Sequence, residues 1–348
     1  MKAKSNNELM VPGVNIWRHV HRHLMAKPTT MSSAISSHFS FASRLVFPRD
    51  TWSHAVRRAV FPLKARFFAK PCQQLLDRGF VEFARTLQAR PELLGVIEWP
   101  YIHKAWAPRR RIQAVCSHYE FIEDQAWLHV PLTSRLLLAD LASVRAGLSL
   151  QLERPQWFIR EGELTLSLFL DHTRLYSICF TFDKREGQWV AYVGGIQGRN
   201  IEAAKEQYAE LTKQLHGARP RDFLLVAAGL MCAQVGVKTL LGVSDANRHH
   251  RHPYFAGHLD GDRASSVYDD IWSDRGGQAT TDGFMAMHVP FECKPLEDVP
   301  SKKRAMYRRR YELFEEVAHA ISSVAAQGQL VPPGAAGSAV VLLSGPTL

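Results

Sequence analysis

The segment 240–252, LLGVSDANRHHRH, places Ser244, Asp245, Asn247, Arg248, His249, His250, Arg251 and His252 directly after a short apolar run that reads as a strand. Ligands collect beyond the carboxyl ends of strands in α/β folds. A histidine with an ordinary pKa of about 6.5 can take a proton from an amine or hydroxyl nucleophile, and a carboxylate can orient its ring. His249 is therefore a candidate base, and Asp245 either a second one or the group that orients it. The alternative is an exposed charged loop. His249, His250, His252 and His258 have no metal-binding spacing, and no HExxH motif is present, so no metal site is expected. Tyr268, in YDDIWSDRGG, shares a helix face with Trp272. Its phenol is a candidate acid for a leaving group, or the pair is core packing.

A second feature is VGGIQGRN, which carries Gly194, Gly195, Gln197, Gly198, Arg199 and Asn200. So many glycines cost chain entropy, which argues for a geometric need. The segment is predicted to join a strand to a helix starting near 201, with Asn200 as its N-cap. Open N–H groups there could cradle a phosphate or pyrophosphate, and Arg199 would add charge. The spacing matches neither a P-loop nor a dinucleotide fingerprint. A tight connection without ligand is the other reading. Glu161 and Glu163, in REGE, could share acid/base work only if extended, where i and i+2 face the same way; a salt-bridged strand entrance is the alternative. Arg219 and Arg221 could clamp an acidic ligand or pair with Asp222 and nearby acids.

The elements that must position these residues follow from periodicity. Residues 164–171, 174–182 and 188–194 alternate as a three-stranded antiparallel meander, with the polar turn 183–187 between the last two. A helix is expected at 201–215, closed by His216-Gly217, and another at 220–235 opened by Pro220. Strands are expected at 238–243 and 284–289, and a short helix at 265–275. Ahead of the meander, 62–90, 109–123 and the Leu/Ala-rich 132–145 read as helices. An amphipathic helix is expected at 303–322, with Met306, Leu313, Phe314, Val317 and Ile321 on one stripe. Five segments result: a basic, loosely ordered extension with one or two short helices (1–60), a helical lobe (61–148), an α/β core (149–298), a C-terminal helix (299–324) and a mobile tail (325–348).

The chain has 348 residues, 46% apolar and 22% charged, which suits a folded core and excludes a disordered chain. Its five cysteines have no paired spacing, so neither a disulfide framework nor a four-cysteine zinc site is expected. No signal-peptide core is visible near the start, and the longest apolar run, 223–233, is too short to span a bilayer. A cytoplasmic protein is the expectation, with a peripheral position at the inner membrane as its variant. The formal net charge is +10. Residues 1–70 alone carry twelve Lys/Arg against two acids, and further basic clusters lie at 104–111 and 302–310. Such patches attract phosphate-rich partners: an anionic membrane lipid, a phosphorylated cofactor or nucleic acid. No nucleic-acid-binding motif is present, so that partner is the least favoured.

REGELTLSLF, YVGGIQG, LTKQLHGARPRD, LLGVSDANRHHR, YDDIWSDRGG and the upstream KAWAPRRRIQAVCSHYEFI together resemble the VirK/YbjX family over about 65–295. That family carries a domain of unknown function. The resemblance implies a link with virulence, resistance to cationic antimicrobial peptides, envelope stress and a DNA-damage response, and supplies no catalytic residues. The order of elements is also similar, more weakly, to the GNAT acyltransferases. This implies a GNAT-like mixed, largely antiparallel sheet flanked by helices, with an N-terminal helical lobe. It further implies an acyl or aminoacyl transferase that takes acyl-CoA or an acyl carrier as donor. Residues 194–200 would hold the donor's pyrophosphate, His249 or Asp245 would be the base, and Tyr268 would protonate the thiolate. The usual Gln/Arg-x-x-Gly-x-Gly/Ala loop is absent here. The alternative function is a non-catalytic stress or virulence accessory protein that binds anionic lipid or a protein partner.

Overall fold

A computed structural model of the chain describes residues 31–199, 204–255, 268–329 and 342–344. The expectations for 1–30, for Asn200 and the following helix start, for His258 and for most of the tail after 329 lie outside these residues. The chain opens with helices α1 (Met31–Val46), α2 (Trp52–Phe68), α3 (Lys70–Asp77) and α4 (Val81–Ala89), then a 3₁₀ segment (Pro91–Ile97) and α5 (Pro108–Ile122). Strands β1 (Ser134–Asp140), β2 (Leu148–Glu153), β3 (Leu164–Leu170), β4 (Thr173–Arg185) and β5 (Gln188–Gly198) follow. After α6 (Ala204–Gln214) and α7 (Pro220–Gln234) come β6 (Thr239–Val243), α8 (Tyr268–Ser273), β7 (Gln278–Ala279) and β8 (Phe284–His288). The long α9 (Ser301–Gln329) and a short edge strand β9 (Leu342–Ser344) complete the described chain.

The strands form one open sheet in the order β7-β8-β6-β5-β4-β3-β2-β1-β9. Every described pairing is antiparallel except β5 with β6. A parallel pair needs a crossover, and α6 and α7 supply it. Leu164 to Phe169 are all buried, so the central sheet is covered on both faces. Helix α5 lies against β4, and α7 against β3, β4 and β5. Helix α7 holds the longest apolar run of the sequence. It is buried nearly all round, between the sheet and α9. Among the described residues no helix is long and apolar enough to cross a membrane.

The mixed, largely antiparallel sheet with flanking helices and an N-terminal helical region agrees with expectation. Several elements differ. Residues 132–145 hold strand β1 where a helix was predicted. Their Leu/Ala content favours a helix locally, but β1 is fixed by pairing with β2, from Arg135 opposite Glu153 to Asp140 opposite Ser149. The segment 31–60 contains two packed helices: Phe39, Phe47 and Phe61 are buried together, with Phe61 5.7 Å from Phe39 and 5.9 Å from Phe47 between ring centroids. The expected helix over 62–90 is the end of α2 plus two shorter helices, with Pro71 in the first turn of α3 and Gly79 at φ 77° before α4. His216-Gly217 closes α6 as predicted, Gly217 at φ 80° donating its N–H to Thr212 O at 2.7 Å.

Candidate functional site

Beyond Val193, strand β5 parts from β6: the parallel ladder covers only Ala191 to Val193, whereas β5 pairs with β4 as far as Gly198 opposite Tyr176. Gly194, Gly195, Gln197 and Gly198 therefore belong to a strand. This corrects the expectation of a loop that cradles phosphate with open amides. Arg199 N–H donates to Leu175 O at 2.9 Å. The register slips where Cys179 faces Gly195 and Phe180 faces Val193, which leaves Gly194 as the extra residue of a bulge. The glycines have a different cause from the one predicted: a Cβ on Gly194 would collide with the Glu161 carbonyl oxygen, and one on Gly195 with the Glu161 carboxylate.

The edge of β5 that β6 leaves open is closed by Tyr268. Its hydroxyl accepts from Ile196 N–H at 2.8 Å and donates to Ile196 O at 2.9 Å. The side chain is fully buried, which raises its pKa. A phenol held this way has both functions of its oxygen engaged by backbone. Asp245 meets Tyr268 at the start of α8. Its Oδ2 accepts from Tyr268 N–H at 2.7 Å, and Asp269 Oδ1 accepts from Asp245 N–H at 2.9 Å. That is a reciprocal helix cap. The Arg248 guanidinium stacks 3.9 Å from the Tyr268 ring centroid and lies 3.9 Å from Asp245 Oδ1. His249 takes part in a separate contact. Its N–H donates to Ile102 O at 3.0 Å, and its ring meets Phe255 at 5.8 Å. Burial, with His250, Arg248 and Arg160 adding, lowers its pKa to about 3. So weak a base is poorly matched to proton abstraction near neutral pH.

Glu161 was visible in the sequence only as half of a carboxylate pair. It keeps some exposed surface, but its carboxyl packs against Gly195 and accepts from Gln197 Nε2 at 3.4 Å. Loss of hydration raises its pKa to about 7, with Arg248 opposing. Its neighbour Glu163 points elsewhere, into a buried network: Tyr101 and Tyr119 hydroxyls donate to it at 3.0 and 2.9 Å. Arg154 joins that network, 2.7 Å from Glu82 and 2.9 Å from Thr86. Arg221 pairs with Asp222 at 3.0 Å. Among the described residues no group of three or more metal-ligating side chains converges.

Two outward features went unread in the sequence. Gln197, Gly198 and Arg199 line a cavity of about 450 Å3 together with Arg135, Trp157 and Arg174. Those three come from β1, a 3₁₀ turn and β4, and no local motif unites them. Helix α2 exposes Trp52, Val56, Val60, Leu63 and Phe67, with Trp52 at 84% and Phe67 at 75%. Their i, i+4, i+8, i+11, i+15 spacing was available as a signal.

With this geometry in view, the comparisons define the class. A family model described as "Protein of unknown function (DUF535)" matches residues 50–323, and the chain belongs to that family. It is 23% identical over 305 residues to the Escherichia coli K12 protein YbjX, covering 83% of this chain and 90% of that protein, which supports the VirK/YbjX resemblance. A Haemophilus influenzae protein is 24% identical over 294 residues, covering 78% of this chain and 96% of its own length. A Mannheimia haemolytica protein named "Membrane protein LapB" is 26% identical over 157 residues, covering 45% of this chain and 68% of that one. No solved structure matches the chain.

Proposed function

We propose that this protein is a non-catalytic accessory protein that docks on an anionic membrane surface through helix α2. One observation carries the reading: α2 is apolar on two opposite sides. Phe61 and Ala65 face the core, while Trp52, Val56, Val60, Leu63 and Phe67 form a continuous outer stripe. A folded chain normally leaves no such stripe without a partner. Arg57 and Lys64 flank it on one side, Lys64 paired with Glu98 at 2.8 Å, and Arg66 on the other, and 51–69 contains no acidic residue. An apolar stripe bordered by cations, with a tryptophan at one end, suits the headgroup boundary of an anionic bilayer. Each basic side chain near such a surface contributes roughly 1 kcal/mol, which salt screens. The name of the Mannheimia relative, "Membrane protein LapB", is in keeping with this reading. A role in envelope stress or virulence, implied by the family resemblance, would rest on the same docking.

The acyl-transfer reading has less to support it. It needs open amides near 194–200 and a Tyr268 hydroxyl able to reach a leaving group. Of that segment 194–198 is strand, Arg199 N–H donates to Leu175 O, and the hydroxyl is bonded to Ile196. Vesicle sedimentation tests the docking reading. The chain is expected to sediment with phosphatidylglycerol vesicles at low salt, to stay in solution with phosphatidylcholine, and to be released from the anionic vesicles as salt rises. A variant with Trp52→Ala, Leu63→Glu and Phe67→Glu is expected to lose at least tenfold in vesicle affinity while its unfolding midpoint barely moves. Retention of that variant at the parent level would overturn the proposal.

A further inference from the structure

The cavity beside the end of β5 has a chemistry that the docking reading does not use. Arg135, Arg174 and Arg199 all reach it, and among the described residues no acidic side chain lines it. Two of the three guanidiniums are held in place from behind. Buried Glu153 accepts from Arg174 Nε at 2.7 Å and from Arg174 Nη2 at 2.8 Å, and its Oε2 lies 3.4 Å from Arg135 Nε. The same two guanidiniums lie over aromatic faces: Arg135 is 4.3 Å from the Phe169 centroid, and Arg174 is 4.5 Å from that of Trp157. Arg174 thus commits one edge of its fork to Glu153 and keeps its other terminal nitrogen. Among the described residues Arg199 meets no carboxylate within salt-bridge distance. Among the described residues, three guanidiniums against one carboxylate leave two positive charges to be matched.

We propose that this cavity binds a phosphate-bearing ligand, the phosphate among Arg135, Arg174 and Arg199 and an apolar or planar portion against Trp157. Converging guanidinium forks suit a tetrahedral oxyanion with several acceptor oxygens. A phosphomonoester carries close to two negative charges at neutral pH, which matches the local excess, whereas a carboxylate carries one. The volume of about 450 Å3 accommodates a small organic phosphate. Trp157 is 63% exposed at this site, an open ring available to cover part of a ligand. Glu153 is a positioning residue that fixes the two forks. Gln197, Gly198 and Arg199 were singled out in the sequence for phosphate. They line this cavity through side chains and strand edge instead of offering a loop of amides.

The shared chemistry, a phosphomonoester, could come from a lipid headgroup or from a free metabolite, and the test separates these. Titration calorimetry is run on the chain carrying the three α2 substitutions, so that membrane docking and cavity binding are read apart. The probes are dihexanoyl phosphatidic acid, glycerol 3-phosphate and inorganic phosphate, with hexanoate as the carboxylate control. Saturable one-to-one binding of at least one phosphate probe is expected, tighter than hexanoate by at least tenfold. Preference for the phosphatidic acid assigns a lipid source, and preference for glycerol 3-phosphate a soluble one. Arg199→Gln, an exposed substitution that preserves the fold, is expected to weaken binding at least fivefold, and Arg174→Gln at least tenfold. Absence of saturable binding to any phosphate probe, or binding unaltered by both substitutions, would overturn the proposal.

Discussion

The interior around β5 and the outer face of α2 present opposite uses of the same kinds of residue. Around β5 lie the groups that a search for catalysis selects first: Asp245, His249, Tyr268 and Glu161. There the Tyr268 hydroxyl bonds Ile196, Asp245 caps α8 and His249 is buried against Ile102 and Phe255. On α2 the residues are ordinary by type, Trp, Val, Leu, Phe, Arg and Lys, yet five apolar side chains in a row face outward. Residue type alone therefore misdirects. A tyrosine already supplied with partners contributes to stability, while an apolar stripe that the described residues leave exposed is the feature that calls for a partner.

Substitutions can break this contrast, and the largest effect is expected deep inside. Arg154→Ala would leave Glu82 buried without its 2.7 Å partner and remove the bonds to Thr86 and Tyr119. Losing one member of a buried ion pair costs about 3–5 kcal/mol, read as a lower urea midpoint. Vesicle binding of the folded fraction should be unaffected. A chain as stable as the parent would mean that the interior network does not hold the fold.

The next effect is pH-dependent. Glu161 has its pKa raised from 4.5 to about 7. Between those values the folded chain keeps a proton that the unfolded chain has lost, so stability is greatest below the window and declines as pH rises through it. The shift corresponds to roughly 1–3 kcal/mol once the partial exposure of the residue is allowed for. Glu161→Gln should flatten that part of the stability profile and make the variant the more stable chain at pH 8. An unchanged slope between pH 5 and 7 would remove Glu161 from this account.

An effect of comparable size, through hydrogen bonding instead of titration, is expected at Tyr268→Phe. Two bonds to Ile196 are lost and its buried backbone groups go unsatisfied, at about 1–3 kcal/mol, with faster amide exchange at Ile196. A stability unchanged by this substitution would show that Tyr268 does not close the β5 edge, and would reopen its hydroxyl to other chemistry. On the outer face the direction reverses. The α2 substitutions should move stability by no more than about 0.5 kcal/mol while removing vesicle retention.

Much of the fold was legible. The meander from 164 to 194 alternates with period two, and the helix ends at Gly217 and Pro220 follow from the φ each residue allows. Strand β1 was not legible, because Arg135 to Leu138 read as helix by local preference and become strand only through partners near 150. At the site, the need for Gly194 and Gly195 was legible and its reason was not. The residue that demands them, Glu161, lies on a different segment and reaches them only after folding. The α2 stripe was legible in its spacing. Whether that stripe or Phe61 faced inward was not, since both sides of the helix are apolar.

The chain's own order of residues determined its periodicities, its helix stops, its basic bias and its family, because these depend on near neighbours and on composition. The tertiary structure alone decided which polar groups are satisfied and which are left open. It brought Arg135, Arg174 and Arg199 into one cavity, enclosed Tyr268 against β5, and turned Trp52 and Phe67 outward. Those outcomes depend on strand pairing and packing between residues far apart in the chain, and local sequence carries no record of such distances.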